Sequence, residues 1–310
     1  MGTVIAVCTS PRRGTEKENV GAGTFTPDWG LVGDAHGGDW HRQVSLLSAG
    51  KIAAFNARGA GVAPGAFGEN LVVEDIDFRA LPVGTRLRCG RVLLELTQIG
   101  KECHSHCAIH RRMGECIMPR EGVFARVLEP GTIAVGDEMT VEPPPAARPY
   151  RAAVITLSDK GAAGEREDRS GPAIVNRLEA SGYEVLEQLL LPDGLEPLKT
   201  QLLRLCDQRQ PDLILTTGGT GFSPRDVTPE ATLAVAQRPA PGIAEAIRAH
   251  SLSITPRAMF SRGVSVLRGR TLIVNLPGSV KAVEESLDCI LPTLPHGLDV
   301  LRGSAGECGS

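Results

Sequence analysis

The stretch TTGGTGFSPRDVTPEAT, from Thr216 to Thr232, decides the fold, because a strand runs directly into a glycine-rich turn and an acidic loop. The apolar run Leu213-Ile-Leu215 before it is typical of a strand in the middle of a parallel sheet. Glycines let the backbone turn sharply and bring consecutive N–H groups to a phosphate. Because ligands of open α/β sheets collect at the carboxyl ends of the strands, we expect an anion site here.

The acidic loop after the glycines adds a carboxylate to this expected site. Asp226 follows Gly221, and Pro229 with Glu230 is typical of a helix start, with Thr228 as its N-cap. A glycine turn by itself is also compatible with a simple tight connection. A P-loop is excluded, because no lysine follows the glycines.

The rest of the second half alternates between strand and helix patterns, which predicts an α/β fold with a mostly parallel sheet covered on both faces. The predicted strands are 152–157, 183–191, 212–216 and 270–275, and the predicted helices are 170–181, 195–209, 229–236 and 280–301, the last with a break near Pro292 and Pro295.

The sequence pattern of the first half differs from that of the second and predicts a β-rich barrel or sandwich. Its strand-like runs are short and punctuated by glycine, and they include 44–47, 70–73, 92–96 and 138–141. Four prolines between Pro143 and Pro149 exclude helix and central strand. We therefore expect domains at 1–142 and 151–310, joined by a proline-rich linker at 143–150.

Composition restricts the class of protein. The chain has 310 residues, 42% of them hydrophobic, and a net charge of -3, so no basic face favours nucleic acid or an anionic membrane. No apolar run approaches the roughly 20 residues of a membrane span, and the N-terminus has no signal-peptide pattern, so we expect a cytoplasmic protein. Cysteines that stand singly in apolar surroundings are expected to be reduced core residues: Cys8, Cys89, Cys206 and Cys289.

Further segments of the second half carry a family resemblance together with the glycine turn. They are Thr156-Leu-Ser-Asp159, Glu167-Asp-Arg-Ser-Gly-Pro172, Leu191-Pro-Asp193, Pro241-Gly242 and Asn275-Leu-Pro-Gly278. With these segments, residues 151–303 resemble the MogA/MoaB family of molybdopterin-binding proteins. The resemblance implies adenylylation of molybdopterin with ATP and Mg²⁺.

The resemblance also implies the site residues. Asp193 and Asp226 would be the essential pair and the Mg²⁺ ligands, since adenylyl transfer concentrates negative charge. By itself, Asp193 is typical of a turn residue in Pro-Asp-Gly. Positions implied to bind pterin or nucleotide are Ser158, Asp159, Gly218, Gly219, Thr220, Gly221, Asn275, Pro277 and Gly278. Loop capping is the alternative for the strand-end residues, and we expect Asp168, Arg169 and Ser170 to cap a helix, with Ser170 as its N-cap.

The first half resembles a second family, the MOSC domain, over residues 3–141. The segments that carry this resemblance are Gly33-Asp-Ala-His-Gly-Gly-Asp-Trp-His-Arg-Gln-Val-Ser45, Gly68-Glu-Asn70, Gln98-Ile-Gly-Lys-Glu-Cys103, Met118-Pro-Arg-Glu-Gly122 and Gly136-Asp137. MOSC domains are β-rich and use a cysteine as a thiolate ligand of molybdenum or as a persulfide carrier, and Cys103 best matches that position. A bound molybdenum cofactor or persulfide sulfur is therefore implied.

Other residues of the first half are candidates for the same pocket. Asn70 and Arg120 are expected oxyanion contacts, His36 and His41 lie in a glycine-rich loop near the pocket, and Cys107 or Cys116 are alternative thiols. The cysteines and histidines of 103–116 are also compatible with zinc, although their crowding in one stretch is unlike the two separated ligand pairs of structural zinc.

The two resemblances together predict a protein of molybdenum cofactor biosynthesis. The expected partners are molybdopterin, ATP and other assembly or acceptor enzymes, and the resemblance implies a homo-oligomer, more narrowly a trimer. The alternatives are a non-catalytic molybdopterin carrier or scaffold, a nucleotide pyrophosphatase of related fold, and a molybdenum-dependent reductase or sulfur carrier built on the first half. No lysine of the sequence stands out as a Schiff-base residue for pyridoxal phosphate.

Overall fold

The computed structural model describes residues 1–103, 108–145 and 147–303. The chain forms two compact units, Met1–Pro145 and Ala146–Ser310. The boundary lies within the proline-rich stretch. Among the described residues, no helix is long and apolar enough to cross a membrane.

The first unit consists mainly of short strands. Its strands are β1 Gly2–Thr9, β2 Glu18–Asn19, β3 Ala22–Thr26, β4 Gly30–Leu31, β5 Val44–Ser48, β6 Leu71–Glu74, β7 Arg86–Cys89, β8 Val92–Ile99, β9 Val123–Glu129, β10 Gly131–Ala134 and β11 Glu138–Glu142. Its helices are α1 Ala49–Asn56, α2 Ala108–Met113 and α3 Met118–Glu121, with a 3-10 turn at Phe78–Ala80.

Seven of these strands close into a barrel, in the order β1-β11-β7-β8-β9-β5-β6, because β6 and β11 both pair with β1. The closing ladder aligns Gly2 with Met139. Strand β8 is buried along its whole length, and the interior is filled by apolar side chains such as Leu46 and Leu94. The predicted β-rich barrel is confirmed, and closure leaves its strands without free edges.

The second unit alternates between strands and helices. Its strands are β12 Arg151–Leu157, β13 Glu184–Leu191, β14 Leu213–Thr217, β15 Arg238–Pro239, β16 Ser265–Arg268 and β17 Thr271–Leu276. Its helices are α4 Asp159–Ala162, α5 Ser170–Ala180, α6 Leu195–Arg204, α7 Thr228–Val235, α8 Pro241–Ile254, α9 Val280–Ile290 and α10 Leu294–Arg302, with a π-helical turn at Leu205–Arg209 and a 3-10 turn at Pro256–Phe260.

These strands form one sheet in the order β13-β12-β14-β17-β16-β15. The first four are parallel, whereas β16 and β15 are antiparallel. Leu213 and Leu215 of β14 pack with α5, α9 and α10 on one face, and Ile214 packs with α6 and α7 on the other. The predicted mostly parallel sheet is therefore confirmed, with β14 in its middle.

Three details differ from the sequence predictions. Helix α8, the longest of this unit, was not predicted. The helix predicted over 195–209 is α-helical only to Arg204, after which it continues as a π-helical turn. Thr228 is not an N-cap: it lies inside α7, and its hydroxyl donates to the Gly218 carbonyl at 2.9 Å, because the glycine turn folds back onto the helix start.

Candidate functional site

The glycine turn after β14 brings three strand ends together. Gly218 has a φ of +97°, and a Cβ on it would lie 2.4 Å from the Leu157 carbonyl oxygen at the end of β12. A Cβ on Gly278, just beyond β17, would lie 3.3 Å from the Gly218 Cα. Only residues without side chains allow this approach.

A cavity of about 780 Å³ opens at these strand ends. The predicted site residues that line it are Ser158, Asp193, Gly218, Gly219, Asp226 and Gly278. They come from the loops after β12, β13, β14 and β17, so the parallel order of the strands gathers residues that are 120 positions apart in the chain. This is the edge at which ligands of such sheets bind.

Asp193 is held at this edge by Asp159. The Asp159 N–H donates to Asp193 Oδ2 at 3.1 Å, and the Asp193 N–H donates to Asp159 Oδ1 at 2.9 Å. Asp193 Oδ1 lies 3.7 Å from the position of a Cβ on Gly219. The carboxylate therefore lies beside the glycine bend.

Asp226 lies at the other end of the same bend. Its Oδ2 accepts from the Ser223 N–H at 2.9 Å and lies 2.9 Å from the position of a Cβ on Gly221. The Arg262 side chain fixes this loop, donating from Nε to the Gly221 carbonyl at 2.7 Å and from Nη2 to the Asp226 carbonyl. Arg262 is distant in sequence from both residues, and no sequence pattern indicates its role.

Three further arginines lie at this edge: Arg166 and Arg225 were not among the predicted site residues, and Arg169 was expected to cap a helix. Arg166 and Arg169 line the cavity, and Arg166 donates to Ser158 Oγ at 3.1 Å. Arg225 pairs with Asp159 Oδ2 at 2.6 Å, which connects the loop of Asp226 to the loop after β12. Since each arginine lies in a loop, hydrophobic periodicity gave no signal for them. The adjacency of Arg225 to Asp226 was the available sequence clue.

Several predicted contact residues are not among those that line the cavity. Asn275 is 3% exposed, and its amide is used inside the fold: Nδ2 donates to the hydroxyls of Thr216 and Thr232 at 2.9 Å each, and Oδ1 accepts from the Val264 N–H at 3.2 Å. The Pro277 carbonyl accepts from Thr217 Oγ1 at 2.6 Å. The other predicted contact residues that do not line the cavity are Asp159, Thr220 and Gly221.

The helix cap before α5 agrees with the prediction for Asp168 and differs from it for Ser170. Ser170 is the first residue of the helix instead of its N-cap. Asp168 Oδ1 accepts from the N–H groups of Ser170 and Gly171 at 3.1 Å each. The aspartate is therefore the capping group, because its carboxylate reaches donors of the first turn.

The barrel of the first unit has a separate cavity of about 710 Å³. Cys103, Cys116, His36 and Asn70 are among its lining residues, so four sequence candidates lie in one pocket. Cys103 is exposed, as a reactive thiol requires. Cys107 and its neighbours at 104–106 lie outside the described residues. No group of three metal-binding side chains occurs among the described residues, and the zinc candidates His104, His106 and Cys107 are not among these.

The side chains of Asn70 and Arg120 make contacts within the protein instead of the expected oxyanion contacts. Asn70 Nδ2 donates to the Cys8 carbonyl at 3.1 Å and to Asp34 Oδ2 at 3.2 Å, so both of its N–H donors are used within the fold. Arg120 is 60% exposed, pairs with Glu121 at 2.9 Å and does not line the cavity. His41 likewise lies outside the lining, with Nε2 at 2.9 Å from Gln98 Oε1.

The core role of three single cysteines is confirmed. Cys8, Cys89 and Cys206 are buried, and burial raises their thiol pKa values to about 12, 11 and 12. Cys289 is partly buried against the core of the second unit.

Comparison with known proteins agrees with this geometry. A family model described as "Probable molybdopterin binding domain" matches residues 153–296, and a MOSC domain model matches residues 33–140. The molybdopterin adenylyltransferase of Helicobacter pylori strain J99 is 39% identical over 153 residues, which are 49% of this chain and 87% of that protein. The chain belongs to the MogA/MoaB family, with a MOSC domain ahead of the family domain.

Two other members of the MogA/MoaB family are similar over the same half. The molybdopterin adenylyltransferase of Escherichia coli K12 is 42% identical over 141 residues, covering 44% of this chain and 72% of that protein. The crystal structure of the molybdopterin biosynthesis enzyme MoaB from Thermus thermophilus is 48% identical, covers 50% of this chain and 97% of that chain, and has a TM-score of 0.48.

The donor set of the MogA/MoaB-type cavity fits a hard divalent cation. Two carboxylates, Asp193 and Asp226, border one glycine bend and line one cavity. Mg²⁺ takes one or two carboxylates and completes its octahedron with water and substrate phosphate oxygens. Such a set lacks the third protein ligand that zinc requires, and it leaves the other coordination positions to the substrate.

Proposed function

We propose that the second unit transfers the adenylyl group of ATP to molybdopterin, in the biosynthesis of the molybdenum cofactor. The observation that carries the proposal is the cavity at the ends of the parallel strands, where Asp193 and Asp226 border the bend at Gly218 and Gly219. Sequence similarity supports it, since the relatives at 39–43% identity include proteins named molybdopterin adenylyltransferase.

In this reaction a phosphate oxygen of molybdopterin attacks the α-phosphorus of ATP, and pyrophosphate leaves. One P–O bond forms and one breaks, so the protein has to align two anions and stabilise their charge. Mg²⁺ held by Asp193 and Asp226 would neutralise charge on the triphosphate. Backbone N–H groups of the glycine bend would bind phosphate oxygens, and Arg166 and Arg169 would add positive charge at the wall of the cavity.

The MOSC unit would bind, transfer or sulfurate the same cofactor. Cys103 is the proposed thiol, because it is exposed and shares its cavity with the cations Lys101 and Arg111. A cysteine sulfur is a soft ligand, which suits molybdenum and sulfane sulfur.

The full-length chain, supplied with molybdopterin, ATP and Mg²⁺, is expected to release pyrophosphate. Asp226→Asn is expected to reduce the rate by about 10²-fold or more, since each lost charge-stabilising group in such a site has an effect of that order. Asp207→Asn is a matched control, because Asp207 is half-exposed and pairs with Arg268 outside the cavity. Binding of molybdopterin without pyrophosphate release would favour the carrier alternative, and release without molybdopterin would favour a pyrophosphatase.

A further inference from the structure

The cavity of the second unit contains a buried hydroxyl group that the fold does not use. Thr156, near the end of β12, is 3% exposed and is one of the residues that line the cavity. Among the described residues, none forms a hydrogen bond with its Oγ1 atom. A buried hydroxyl in this state is costly, because it has given up its hydrogen bonds to water. Such a group on the wall of a cavity indicates a contact with a ligand.

Two neighbouring threonines at the same edge of the sheet differ from Thr156 in this respect. Thr217 Oγ1 donates to the Pro277 carbonyl at 2.6 Å. Thr228 Oγ1 donates to the Gly218 carbonyl at 2.9 Å. The fold therefore satisfies these two hydroxyl groups and leaves that of Thr156 to the cavity.

A carboxylate oxygen that the fold does not use lies beside this hydroxyl. Asp168 also lines the cavity, and its Oδ1 caps α5 by accepting from the N–H groups of Ser170 and Gly171 at 3.1 Å each. No group of the described residues donates to its Oδ2. A Cβ on Gly171 would lie 2.5 Å from both Asp168 Oδ2 and Thr156 Oγ1. The acceptor and the hydroxyl therefore flank the same point.

Glycine at position 171 keeps these two atoms accessible. Gly171 is the second residue of α5, and a Cβ there would also lie 2.9 Å from Gln188 Nε2, on the neighbouring strand β13. Within the described ranges, the Gln188 amide has no hydrogen-bond partner either. A larger residue would place its side chain among three polar groups. Glycine leaves room beside them for a polar edge of a ligand.

The two lining groups disfavour a phosphate at this point of the cavity. The ionised carboxylate of Asp168 has only acceptors and repels another anion, whereas the hydroxyl of Thr156 can donate or accept. A ligand has to bring an N–H or O–H donor to Asp168 Oδ2 and a polar group of either kind to Thr156 Oγ1. The edge of an uncharged heterocycle has this pattern.

Of the two heterocycles in the proposed reaction, the pterin is the better match for these groups. Its pyrimidine edge carries an exocyclic amine and a ring N–H side by side, followed by a carbonyl oxygen. A carboxylate can accept from the adjacent donors, and a hydroxyl can donate to the carbonyl. Adenine instead presents its amine beside the lone pair of a ring nitrogen, which a carboxylate repels.

We propose that Asp168 Oδ2 and Thr156 Oγ1 bind the amino-oxo edge of the pterin and thereby select the heterocycle at this wall of the cavity. The proposal rests on the function proposed for the second unit, because it concerns the same cavity and the same substrate. It gives Asp168 a second role beside the capping of α5. It also gives the buried Thr156 hydroxyl the partner that the fold does not supply.

A pterin without phosphate tests this contact apart from adenylyl transfer. The probes are hydroxymethylpterin and hydroxymethyllumazine, in which a carbonyl replaces the exocyclic amine, and binding to the full-length protein is measured by the fluorescence anisotropy of the probe. We expect the pterin to bind about tenfold or more tighter, the size of a hydrogen bond to a charged group. Asp168→Asn should remove or reverse this preference, because its amide oxygen keeps the cap while an N–H group replaces Oδ2. Glu165→Gln, in the same loop but outside the lining, is the control.

Thr156→Val separates the contact from folding. Valine removes a buried hydroxyl that has no partner in the described part of the chain, so the variant should unfold at the same or a higher denaturant concentration. Its affinity for hydroxymethylpterin should nevertheless fall about fivefold, the size of a lost uncharged hydrogen bond. Thr85→Val is the matched control, because the Thr85 hydroxyl is also buried without a partner among the described residues, lies in the first unit and lines neither cavity. This control should leave the affinity unchanged.

Steady-state kinetics of pyrophosphate release assign the contact to one of the two substrates. In Asp168→Asn and Thr156→Val the KM for molybdopterin should rise while the KM for ATP does not change. A rise confined to the KM for ATP would assign the two groups to the nucleotide and overturn the proposal. Equal affinity of the wild type for the two probes, or probe binding that both variants retain unchanged, would also overturn it.

Failure of this contact is distinguishable from failure of the proposed function. Adenylyl transfer with an unchanged KM for molybdopterin in both variants would remove the contact and leave the function in place. Binding of hydroxymethylpterin that depends on Asp168 and Thr156, without any pyrophosphate release from ATP and molybdopterin, would keep the contact and remove the function.

Discussion

Asp159 and Asp193 hold each other through two reciprocal hydrogen bonds, in which the N–H of each donates to the carboxylate of the other at 3.1 and 2.9 Å. The pair connects the loop after β12 to the loop after β13. One carboxylate of the proposed metal pair is therefore oriented by a second aspartate that does not line the cavity itself.

Loss of Asp159 is expected to act through the position of Asp193. Asp159→Ala should lower kcat/KM for pyrophosphate release by about 10- to 100-fold and raise the Mg²⁺ concentration needed for half-maximal rate, because a small displacement of a charged group is costly. Asp159→Asn keeps an acceptor for the Asp193 N–H and should recover part of the rate. Lys160→Ala, at the exposed neighbouring position, is the control. Equal Mg²⁺ dependence in Asp159→Ala and wild type would contradict this role.

A side chain at Gly218 is expected to disrupt the bend. In Gly218→Ala the new Cβ would meet the Leu157 carbonyl, and φ is positive, so we expect a loss of about 1–3 kcal/mol in the free energy of unfolding and of most activity. Gly297→Ala is the matched control: Gly297 lies within helix α10 with no atom within 4 Å of its Cβ position, and this change should stabilise the unit by about 0.5–1 kcal/mol. Denaturant titration measures both, and an unchanged midpoint for Gly218→Ala would refute the steric argument.

Asn275 is expected to stabilise the fold instead of binding substrate. Asn275→Ala removes hydrogen bonds to two threonine hydroxyls and one backbone N–H. It should lower the free energy of unfolding by about 2–4 kcal/mol, since each buried group left unpaired costs about 1–3 kcal/mol. The KM for molybdopterin of the protein that remains folded should not change. Asn176→Ala, at an exposed position of α5, is the control. A large rise in KM at wild-type stability would restore the direct contact that the family resemblance implied.

Asp212 links the N-terminal edge of the sheet to the C-terminal helix and should govern acid stability. It accepts from Arg148 at 2.9 Å and from Arg302 at 2.8 Å. Burial raises its pKa, but the hydrogen bonds from Arg302 and Arg148 outweigh this and lower the pKa below its ordinary value of 3.8. A depressed pKa means that the stabilisation is present above the unfolded-state pKa of about 3.9 and is lost as the pH falls through the lower folded-state value.

In Asp212→Asn the free energy of unfolding at pH 7 is therefore expected to fall by about 3–5 kcal/mol, because two arginines lose their charge partner. The stability of this variant should also depend less on pH below about 4. Asp288→Asn, which breaks an ion pair whose aspartate is 62% exposed, should change stability by less than about 1 kcal/mol. Denaturant unfolding at pH 3, 5 and 7 compares the two, and parallel pH profiles for Asp212→Asn and wild type would contradict the assignment.

The central strand and its glycine turn were predictable from sequence, because the buried run 213–215 and the glycines each restrict the backbone locally. Helix α8 was missed since its start, Pro241-Gly242, is typical of a loop. The closure of β11 onto β1 joins residues that are 137 positions apart, as in the pairing of Gly2 with Met139. Such long-range pairing has no local sequence signal.

In the candidate sites, too, some residues could be predicted from the sequence and others could not. The family resemblance implied the pair Asp193 and Asp226, and their places after strands β13 and β14 agree with it; without the resemblance, Asp193 is typical of a turn residue. Arg262 reaches its site from a distant loop, and no spacing in the sequence connects it to the residues that it contacts. The family resemblance assigned Asn275 to the pocket, but its side chain donates to Thr216 and Thr232, within the fold.

The most direct test of the central claim is pyrophosphate release by the full-length chain with ATP, Mg²⁺ and molybdopterin, measured alongside adenylyl-molybdopterin by mass spectrometry. We expect one adenylylated product for each pyrophosphate, with both signals lost in Asp193→Asn and Asp226→Asn and kept in Asp207→Asn. Equal rates in wild type and the two cavity variants, or pyrophosphate without adenylylated product, would contradict the account.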